Sequence, residues 1–408
     1  MRRFFAEVTL GETDGNSILR KGMSAGWLAI PAAVGAVSAG YLWLGAVRIG
    51  RWLREAPGTA EALPPVTLLR PLKAGVPDLR GKLEQLARAL HAGDQLVLGA
   101  AAESEEFAAG RELQAAFPER EIILVTCQEG AAVNPKISKL IQMEAAGRHG
   151  RLILSDSEAL IDAGWLDGFR REWEEHAGEV LTTGYRFTGA KTWPQRLDAA
   201  PALLALWPGL ALVRRWGRVD FTLGACTGLR QRDLTALGGW RAFGDFLAED
   251  RELGAALAAR GRTIRLARMV TTLDADPLTW RDWWRHQRRV AVSYRMSAPW
   301  GFAGMICTHG STAVLALALA PAPAGWRRWT FGAAAFLFLL RWLAARRLAR
   351  TLDFPLRGLG LVLLLAGVME TVAWMLSWFP GRVWWSGRWW RVAPGGKLTT
   401  AAPRETLG

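Results

Sequence analysis

Three cysteines in 408 residues, Cys127, Cys226 and Cys307, stand far apart with no CxxC pair, which excludes a disulfide scaffold and a zinc ribbon. Five scattered histidines make no multi-His metal site. Tyrosine is scarcer still, at three residues, and acidic side chains are outnumbered 37 to 51 by basic ones, for a net charge of +14. There is no internal repeat and no low-complexity linker, and half the residues are hydrophobic, which excludes a disordered chain. Tryptophan is plentiful instead, at 22 residues against 15 Phe. An indole joins a large apolar body to one N–H donor, a combination suited to the bilayer interface.

The positive excess fits either nucleic acid or an anionic membrane, and its location decides between them. Arginines crowd the ends of apolar runs: Arg48, Arg51 and Arg54; Arg327 and Arg328; Arg346, Arg347 and Arg350. There they can snorkel to lipid headgroups. With no zinc-finger spacing and no RNA-binding aromatic pair, the expected partner is a membrane and not nucleic acid.

From Gly22 to Val47 no residue is charged. At ~1.5 Å per residue this run exceeds the ~30 Å hydrocarbon core, and it is too long for a signal-peptide core, so an uncleaved anchor over 22–47 after a 1–21 tail is expected. A second uncharged run covers Met296 to Trp326 with a Pro321-Ala-Pro323 turn. A third, Trp329 to Ala345, contains Arg341, and a fourth, Gly358 to Pro380, contains Glu370. Residues 296–380 therefore read as about three spanning helices, followed by a 381–408 tail that looks loose after Trp390. Glu370 is costly at membrane depth and needs a partner, for which Arg341 is the candidate. The apolar stretch Pro201 to Val213, 13 residues with a central proline, is too short to span and reads as an interfacial or a core helix.

Between the anchor and the later runs, residues 60–295 alternate β-rich runs with helical patterns. Strands are expected at Val66–Leu69, Gln95–Ala100, Glu121–Val125, Arg151–Leu154 and Val180–Thr183. A helix is expected over Asp78–Leu90, where Leu79, Leu83, Leu86 and Leu90 share a face behind an Asp cap. The alternation predicts an α/β domain with a mainly parallel sheet, its ligand lying at the carboxyl ends of the strands.

Three places carry candidate chemistry. In Leu152-Ile-Leu-Ser-Asp-Ser-Glu158 an apolar strand runs into two carboxylates, Asp156 and Glu158, hard oxygen ligands suited to holding Mg²⁺ or Mn²⁺ against a diphosphate. In Phe246-Leu-Ala-Glu-Asp250 a carboxylate can serve as general base toward an acceptor hydroxyl. In Trp283-Trp-Arg-His-Gln-Arg-Arg-Val290, Arg288 and Arg289 can neutralise a leaving diphosphate. Taken singly, each has a plainer explanation: a helix start, a charged helix face, and a polybasic juxtamembrane anchor with an interfacial His286.

Their order along the chain changes the balance. The sequence resembles the membrane-bound glycosyltransferases of the ceramide glucosyltransferase type, including bacterial hopanoid-associated relatives. The resemblance begins at Leu68-Leu-Arg-Pro-Leu-Lys-Ala-Gly75 and continues through Asn134-Pro-Lys-Ile-Ser-Lys-Leu140, Asp156-Ser157 and Ala248-Glu-Asp250. It ends with His286-Gln-Arg-Arg-Val290, Gly387-Arg-Trp-Trp-Arg391 and Gly395-Gly-Lys397.

The resemblance implies a GT-A fold using a UDP-sugar and a divalent metal (Mg²⁺ or Mn²⁺), with a lipid hydroxyl attacking the anomeric carbon and inverting it. It makes Asp156 and Glu158 the metal and diphosphate residues and Asp250 the base. Lys136 and Arg289 compensate phosphate charge, Lys73 lies beside the nucleotide pocket, and His286 belongs to the donor-binding fifth motif. Two departures are visible. The first acidic motif is Ala100-Ala-Ala-Glu-Ser-Glu-Glu106, with Glu103 as the stand-in for its Asp. The last Trp of the fifth motif is Val290, for which Trp283, Trp284 or Trp300 are candidate substitutes. Arg20 and Lys21 nearly balance Arg48, Arg51 and Arg54 across the first run, so the cytosolic placement of the 60–295 domain follows from the donor. The alternatives are a polyprenyl-phosphate acceptor, marked by a charged pocket beside Asp250, and a degenerate protein that binds UDP-sugar without turnover.

Overall fold

The computed structural model describes residues 25–55, 58–176, 179–322, 324–354, 357–379 and 381–400. The 1–21 tail, the first three residues of the expected anchor, and residues 401–408 lie outside the described residues.

After a 3₁₀ turn at Ala25–Leu28, helix α1 (Ala29–Trp52) leads into an α/β domain. Its first part runs β1 (Thr67–Pro71), α2 (Leu79–Ala89), β2 (Gln95–Ala100), α3 (Glu105–Ala116), β3 (Glu121–Thr126), α4 (Pro135–Met143) and β4 (Arg151–Ser155). There follow β5 (Ala159–Leu160), α5 (Ala163–Glu175), β6 (Val180–Thr188), α6 (Trp193–Pro201), a π turn at Ala202–Leu206 and α7 (Trp207–Trp216). The domain closes with β7 (Cys226–Arg230), α8 (Gln231–Ala236), α9 (Glu249–Ala259) and β8 (Ile264–Asp274). Beyond it lie α10 (Trp280–Ser297), α11 (Pro299–Gly304), α12 (Gly310–Leu319), α13 (Ala324–Thr351) and α14 (Leu359–Ser377). A small sheet of β9 (Val383–Trp385), β10 (Arg388–Val392) and β11 (Leu398–Thr400) ends the description.

The main sheet has the order β3-β2-β1-β4-β7-β6-β8-β5, and its β3-β2-β1-β4 half is parallel throughout. Strand β7 enters antiparallel to both β4 and β6. Parallel strands are covered on both faces, and the core records this residue by residue. Leu68, Leu96, Leu98 and Ile153 pack with Leu83 and Leu86 of α2 and Phe169 and Trp173 of α5. Their neighbours Leu69, Val97, Leu152 and Leu154 pack on the other side with Ile137 and Leu140 of α4 and Leu253 and Leu257 of α9. Along the strand order the chain leaves β1 toward β2 and leaves β4 toward the other edge at β5, so the crevice between these strands' carboxyl ends is where a ligand is placed in such a sheet.

All five expected strands are present, and α2 begins behind Asp78, whose carboxylate accepts from Gly81 N at 3.3 Å. The loose tail is corrected: Leu398 N donates to Asp245 O at 2.7 Å and Leu247 N to Gly396 O at 3.1 Å, so the tail is strapped to the domain.

The apolar helices match the expected layout with differences. Gly26–Trp52, Trp193–Trp216 and Leu359–Ser377 are long and apolar enough to cross a membrane, and Pro299–Thr308 with Gly310–Leu319 qualify together as a pair bent by 46°. Helix α13 is 28 residues long, and its arginines keep it below that level of apolarity. The stretch 201–213 is not an isolated short segment. It lies inside a helix of 24 residues, Trp193–Trp216, because the π turn widens the backbone ahead of Pro208, whose ring and missing N–H a regular turn would reject. This helix packs between α1 and the sheet: a Cβ on Gly45 would lie 2.7 Å from Pro208, and Trp207 donates to Tyr185 O at 2.8 Å. Arg341 and Glu370 lie within electrostatic reach of each other but form no direct ion pair among the described residues. Arg341 donates to the hydroxyls of Ser38 and Ser311, the latter at 3.3 Å, and Glu370 Oε1 is enclosed without a partner among the described residues. Hydroxyls on α1 and α12 meet the guanidinium first because those helices flank α13.

At the edge of the sheet opposite the crevice, Asp94 binds Arg170 Nη1 at 2.8 Å and accepts from Val66 N and His91 N, with both side chains all but fully buried. Asp94→Ala strands the guanidinium, and its expected cost is about 3–5 kcal/mol. Thermal unfolding of the full chain in detergent checks this as a lowered midpoint.

Candidate active site

The site is assembled by two helix starts and one strand end. Asn134 caps α4: its side-chain oxygen accepts from Lys136 N at 2.9 Å and Ile137 N at 3.2 Å, and Pro135 follows at the first helical position. The Asn134 amide donates to Phe246 O at 2.9 Å and to Glu249 Oε2 at 3.1 Å. One side chain thus ties the start of α4 to the start of α9. Helix α9 carries Glu249 and Asp250 in its first turn, where the exposed N–H groups favour negative charge.

Lys136, in the first turn of α4, sets its ammonium between carboxylates, 2.7 Å from Asp156 Oδ1 and 3.0 Å from Glu249 Oε1. Asp156 leaves the end of β4, its N–H donating to Ala225 O at 3.3 Å. Asp250 Oδ2 accepts from Gly224 N at 3.0 Å and Oδ1 from Arg251 N at 2.8 Å. Gly224 is the meeting point. A Cβ there would lie 3.1 Å from Asp156 Oδ2, 3.3 Å from Lys136 Nζ and 3.5 Å from Asp250 Oδ2. Asp156 and Asp250, 94 positions apart in sequence, therefore share one cleft.

The electrostatics follow from burial among like charges. Burial, then Glu249, push the Asp250 carboxyl up to about 6, against the pull of Lys136. Burial also raises Asp156, with Lys136 opposing it. Burial alone would lower the Lys136 ammonium, but Asp156 and Glu249 hold it well above the ordinary lysine value. It stays a cation at any working pH.

A second group lies at the same carboxyl edge of β1 and β4. Lys73 Nζ is 2.5 Å from Glu158 Oε1 and 2.6 Å from Asp276 Oδ2. Burial would raise the Glu158 carboxyl, yet the Lys73 charge and hydrogen bond bring it below the ordinary value. Arg70, fully buried beneath, donates to Ser155 Oγ at 3.0 Å and Ala159 O at 3.2 Å, bracing the turn that carries both acids.

The fifth-motif residues sit on α10. His286 Nδ1 meets Asp198 Oδ1 of α6 at 2.7 Å, and Gln287 donates to the same oxygen at 3.0 Å. His286 is thus a strut between helices and makes no bond to the Lys136 group. Arg289 makes no hydrogen bond or ion pair among the described residues. Its guanidinium lies 5.8 Å from the Trp385 ring and within electrostatic reach of Asp198, Glu249 and Asp276, a free cation beside the acids. Burial lowers its value from that of an ordinary arginine, which still carries its charge. Of the expected substitutes for the missing Trp, Trp283 is buried in the core, Trp284 is half-buried against it, and Trp300 is 89% exposed. The aromatic partners come from β9, with Trp384 under Arg285 at 4.6 Å and Trp385 under Arg289. Glu103 follows β2 in a left-handed turn (φ 60°), exposed and without a bond to either group.

Among the described residues no group of three or more His, Cys, Asp or Glu is disposed to hold a metal ion. A site completed by a diphosphate needs only one or two carboxylates, and the oxygen set of Asp156 and Glu158 fits that chemistry. Sequence reasoning missed Gly224, Asn134 as the tie to Glu249, Asp198 and Asp276. Of these only Asn134 had a signal, standing before Pro135 as a helix cap.

The curled, parallel-dominated sheet, with carboxylates and a half-buried lysine gathered at its strand ends, is GT-A-like in fold. The chain belongs to glycosyl transferase family 21, whose sequence model matches residues 29–398. The chain is 29% identical over 118 residues to a protein described as the probable glycosyltransferase YdaM of Bacillus subtilis. That match spans 29% of this chain and 28% of the relative's length. The mannosyltransferase PcManGT from Pyrobaculum calidifontis, solved with GDP-Man and Mn²⁺, matches with a TM-score of 0.51 and 18% identity. The match covers 86% of this chain and 99% of that one. A TarS fragment from S. aureus is similar more loosely, at a TM-score of 0.37 and 11% identity over 83% of this chain and 99% of its own.

Gly224→Ala presses on the Asp156 carboxylate and the Lys136 ammonium and brings a methyl into contact with Asp250. Sugar transfer is expected to fall by roughly ten- to hundred-fold from misplacement alone. Transfer assays, with circular dichroism unchanged from the parent, check it.

Proposed function

We propose that this enzyme moves a hexose from a UDP-sugar to the hydroxyl of a membrane lipid, ceramide-like or hopanoid-like, with inversion at the anomeric carbon. The observation that carries the reading is the convergence of Asp156, Lys136, Glu249 and Asp250 on Gly224. Asp250, with its carboxyl near neutrality, is suited to take the proton of the acceptor hydroxyl as the oxygen attacks the anomeric carbon. The bond to the UDP oxygen breaks on the opposite face, and the departing diphosphate gains negative charge. Lys136 and Arg289 stabilise that charge, and Lys73 lies where the nucleotide enters. Asp156 with Glu158 would hold a divalent cation, Mg²⁺ or Mn²⁺, which supplies further neutralisation of the diphosphate. His286, through Asp198, holds α10 so that Arg289 stays beside the cleft, and Glu103, at the end of β2, is assigned to the nucleoside end of the donor.

The acceptor side supports a neutral lipid over a polyprenyl phosphate. Tyr185 and Tyr294, both within electrostatic reach of Asp250, offer hydroxyls to a headgroup, and the Arg251 guanidinium near Tyr294 is paired with Glu252 at 2.6 Å. The apolar helices support an integral membrane enzyme, with residues 60–295 in the cytosol, 22–47 as anchor and 296–380 as further spans. The helix Trp193–Trp216 then brings the cleft to lipid depth, so that an amphiphile presents its hydroxyl without leaving the leaflet.

Labelled UDP-sugars incubated with the purified enzyme and candidate lipids test the reading by label in the extractable lipid. Asp250→Asn is expected to lower transfer at least ~100-fold, the lower range for a lost general base. A mutant as fast as the parent rejects the assignment. The same assay across pH gives the sign: a raised carboxyl works only when deprotonated, so kcat/KM rises with pH through about 6 and levels off above it.

A further inference from the structure

A cavity of about 770 Å³ lies between the carboxyl-terminal ends of α1 and α13, remote from the crevice in the sheet. Four arginines line it, Arg54, Arg346, Arg347 and Arg350, with Trp43 and Leu343 among its apolar walls and no carboxylate. So many guanidinium groups around one space repel one another unless an anion joins them. The protein does not supply it. Arg346, Arg347 and Arg350 make no side-chain hydrogen bond or ion pair among the described residues. Arg346 lies only against the Trp342 ring, at 5.2 Å, and Arg54 reaches only the carbonyl of Gly50. The acidic residues nearest in sequence are engaged elsewhere: Glu55 holds Arg214 at 2.5 Å and Asp353 holds Arg186 at 3.0 Å.

The apolar surface leading away from the cavity indicates what kind of anion fits. Leu343, Leu339 and Phe336 are 38%, 48% and 59% exposed along α13 and recur on one side of the helix. From Phe336 to Arg346 the helix rises about 15 Å at about 1.5 Å per residue, half of the ~30 Å hydrocarbon core. A free phosphate has no use for such a stripe, whereas a molecule with a phosphate head and acyl chains of leaflet length uses both.

We propose that this cavity is a binding site for an acidic phospholipid, its phosphate held by Arg54, Arg346, Arg347 and Arg350 and its chains laid along Leu343, Leu339 and Phe336. The site is separate from donor and acceptor. It fixes α1 against α13 at the headgroup level, and α1 in turn carries the helix Trp193–Trp216. The inference rests on the membrane placement proposed above.

Native mass spectrometry of the full chain in neutral detergent, titrated with phosphatidylglycerol and separately with phosphatidylcholine, tests it. The parent is expected to prefer the acidic lipid. The triple variant Arg346→Gln, Arg347→Gln, Arg350→Gln is expected to bind it at least about ten-fold more weakly, from the usual contribution of each basic residue near an anionic headgroup. Equal affinity for the two lipids, or an unweakened variant, overturns the proposal. Inorganic phosphate that displaces the lipid at equal concentration overturns the lipid assignment in favour of a small-anion site. Should the variant not fold, the parent decides alone: its complex must weaken as salt rises from about 0.05 to about 0.5 M, because screening shortens the reach of the arginines. A salt-insensitive complex rejects it. Alkaline carbonate extraction separates the two readings, since a chain released from the bilayer fails the membrane placement, whereas one that is retained but indifferent to phosphatidylglycerol fails this inference alone.

Discussion

The arrangement depends on one half-buried ammonium. Asp156, Glu249 and Asp250 are drawn from a strand end and a helix start, and three carboxylates in so small a space cannot all stay ionised without a cation among them. Lys136 supplies it, in contact with two of them and within electrostatic reach of the third. Two negative charges are still left over. Burial, and after it that excess, leaves Asp250 with a carboxyl near neutrality, and a carboxyl so placed can take up a proton at physiological pH. A structural defect in isolation, the imbalance is what suits the group to exchange a proton with a substrate.

Holding that imbalance in place falls to backbone geometry more than to further charges. Asn134 caps its own helix and grips Glu249 at the next one, so the lysine and the acids move together. Gly224 lets the strand-to-loop backbone pass between the carboxylates. Gly254 brings α9 so close to the 221–222 backbone that a Cβ would sit 2.3 Å from Phe221. Thr222 then binds the carbonyl of Asp250 at 2.7 Å. The base is fixed from both its main chain and its side chain.

Much of this was legible in the sequence, and the limits have physical reasons. The five apolar strands and the capped α2 announce themselves through local periodicity and cap chemistry, which need no tertiary information. Strand β7, Cys226-Thr-Gly-Leu-Arg230, has a glycine and polar residues in a span of five, so it reads as a loop; only pairing with β4 and β6 makes it a strand. Strand β8 hides because Arg265 and Arg268 interrupt its apolar run, each taken up by a glutamate from a neighbouring element. Asp156, Lys136 and Asp250 were nameable from their motifs, while their meeting at Gly224 was not, since a glycine shows nothing of what it permits. Arg341 and Glu370 make no direct contact for a related reason. Complementary charge in a sequence does not reveal that two serines on flanking helices stand closer.

The tail carries the same lesson into the site. Its Trp-rich and Gly-rich composition looks like solvent-facing loop, yet Trp384 and Trp385 lie against Arg285 and Arg289, and Leu398 pairs with Asp245 five residues before Asp250. An indole face attracts a guanidinium without neutralising it, unlike a carboxylate. Arg289 is therefore held in position with its charge intact and unpaired. The residue expected at position 290 would have offered one stacking surface from within the same helix. Supplying it from β9 moves that surface to the far end of the chain, so the cation beside the acids is in place only when the last strands are docked.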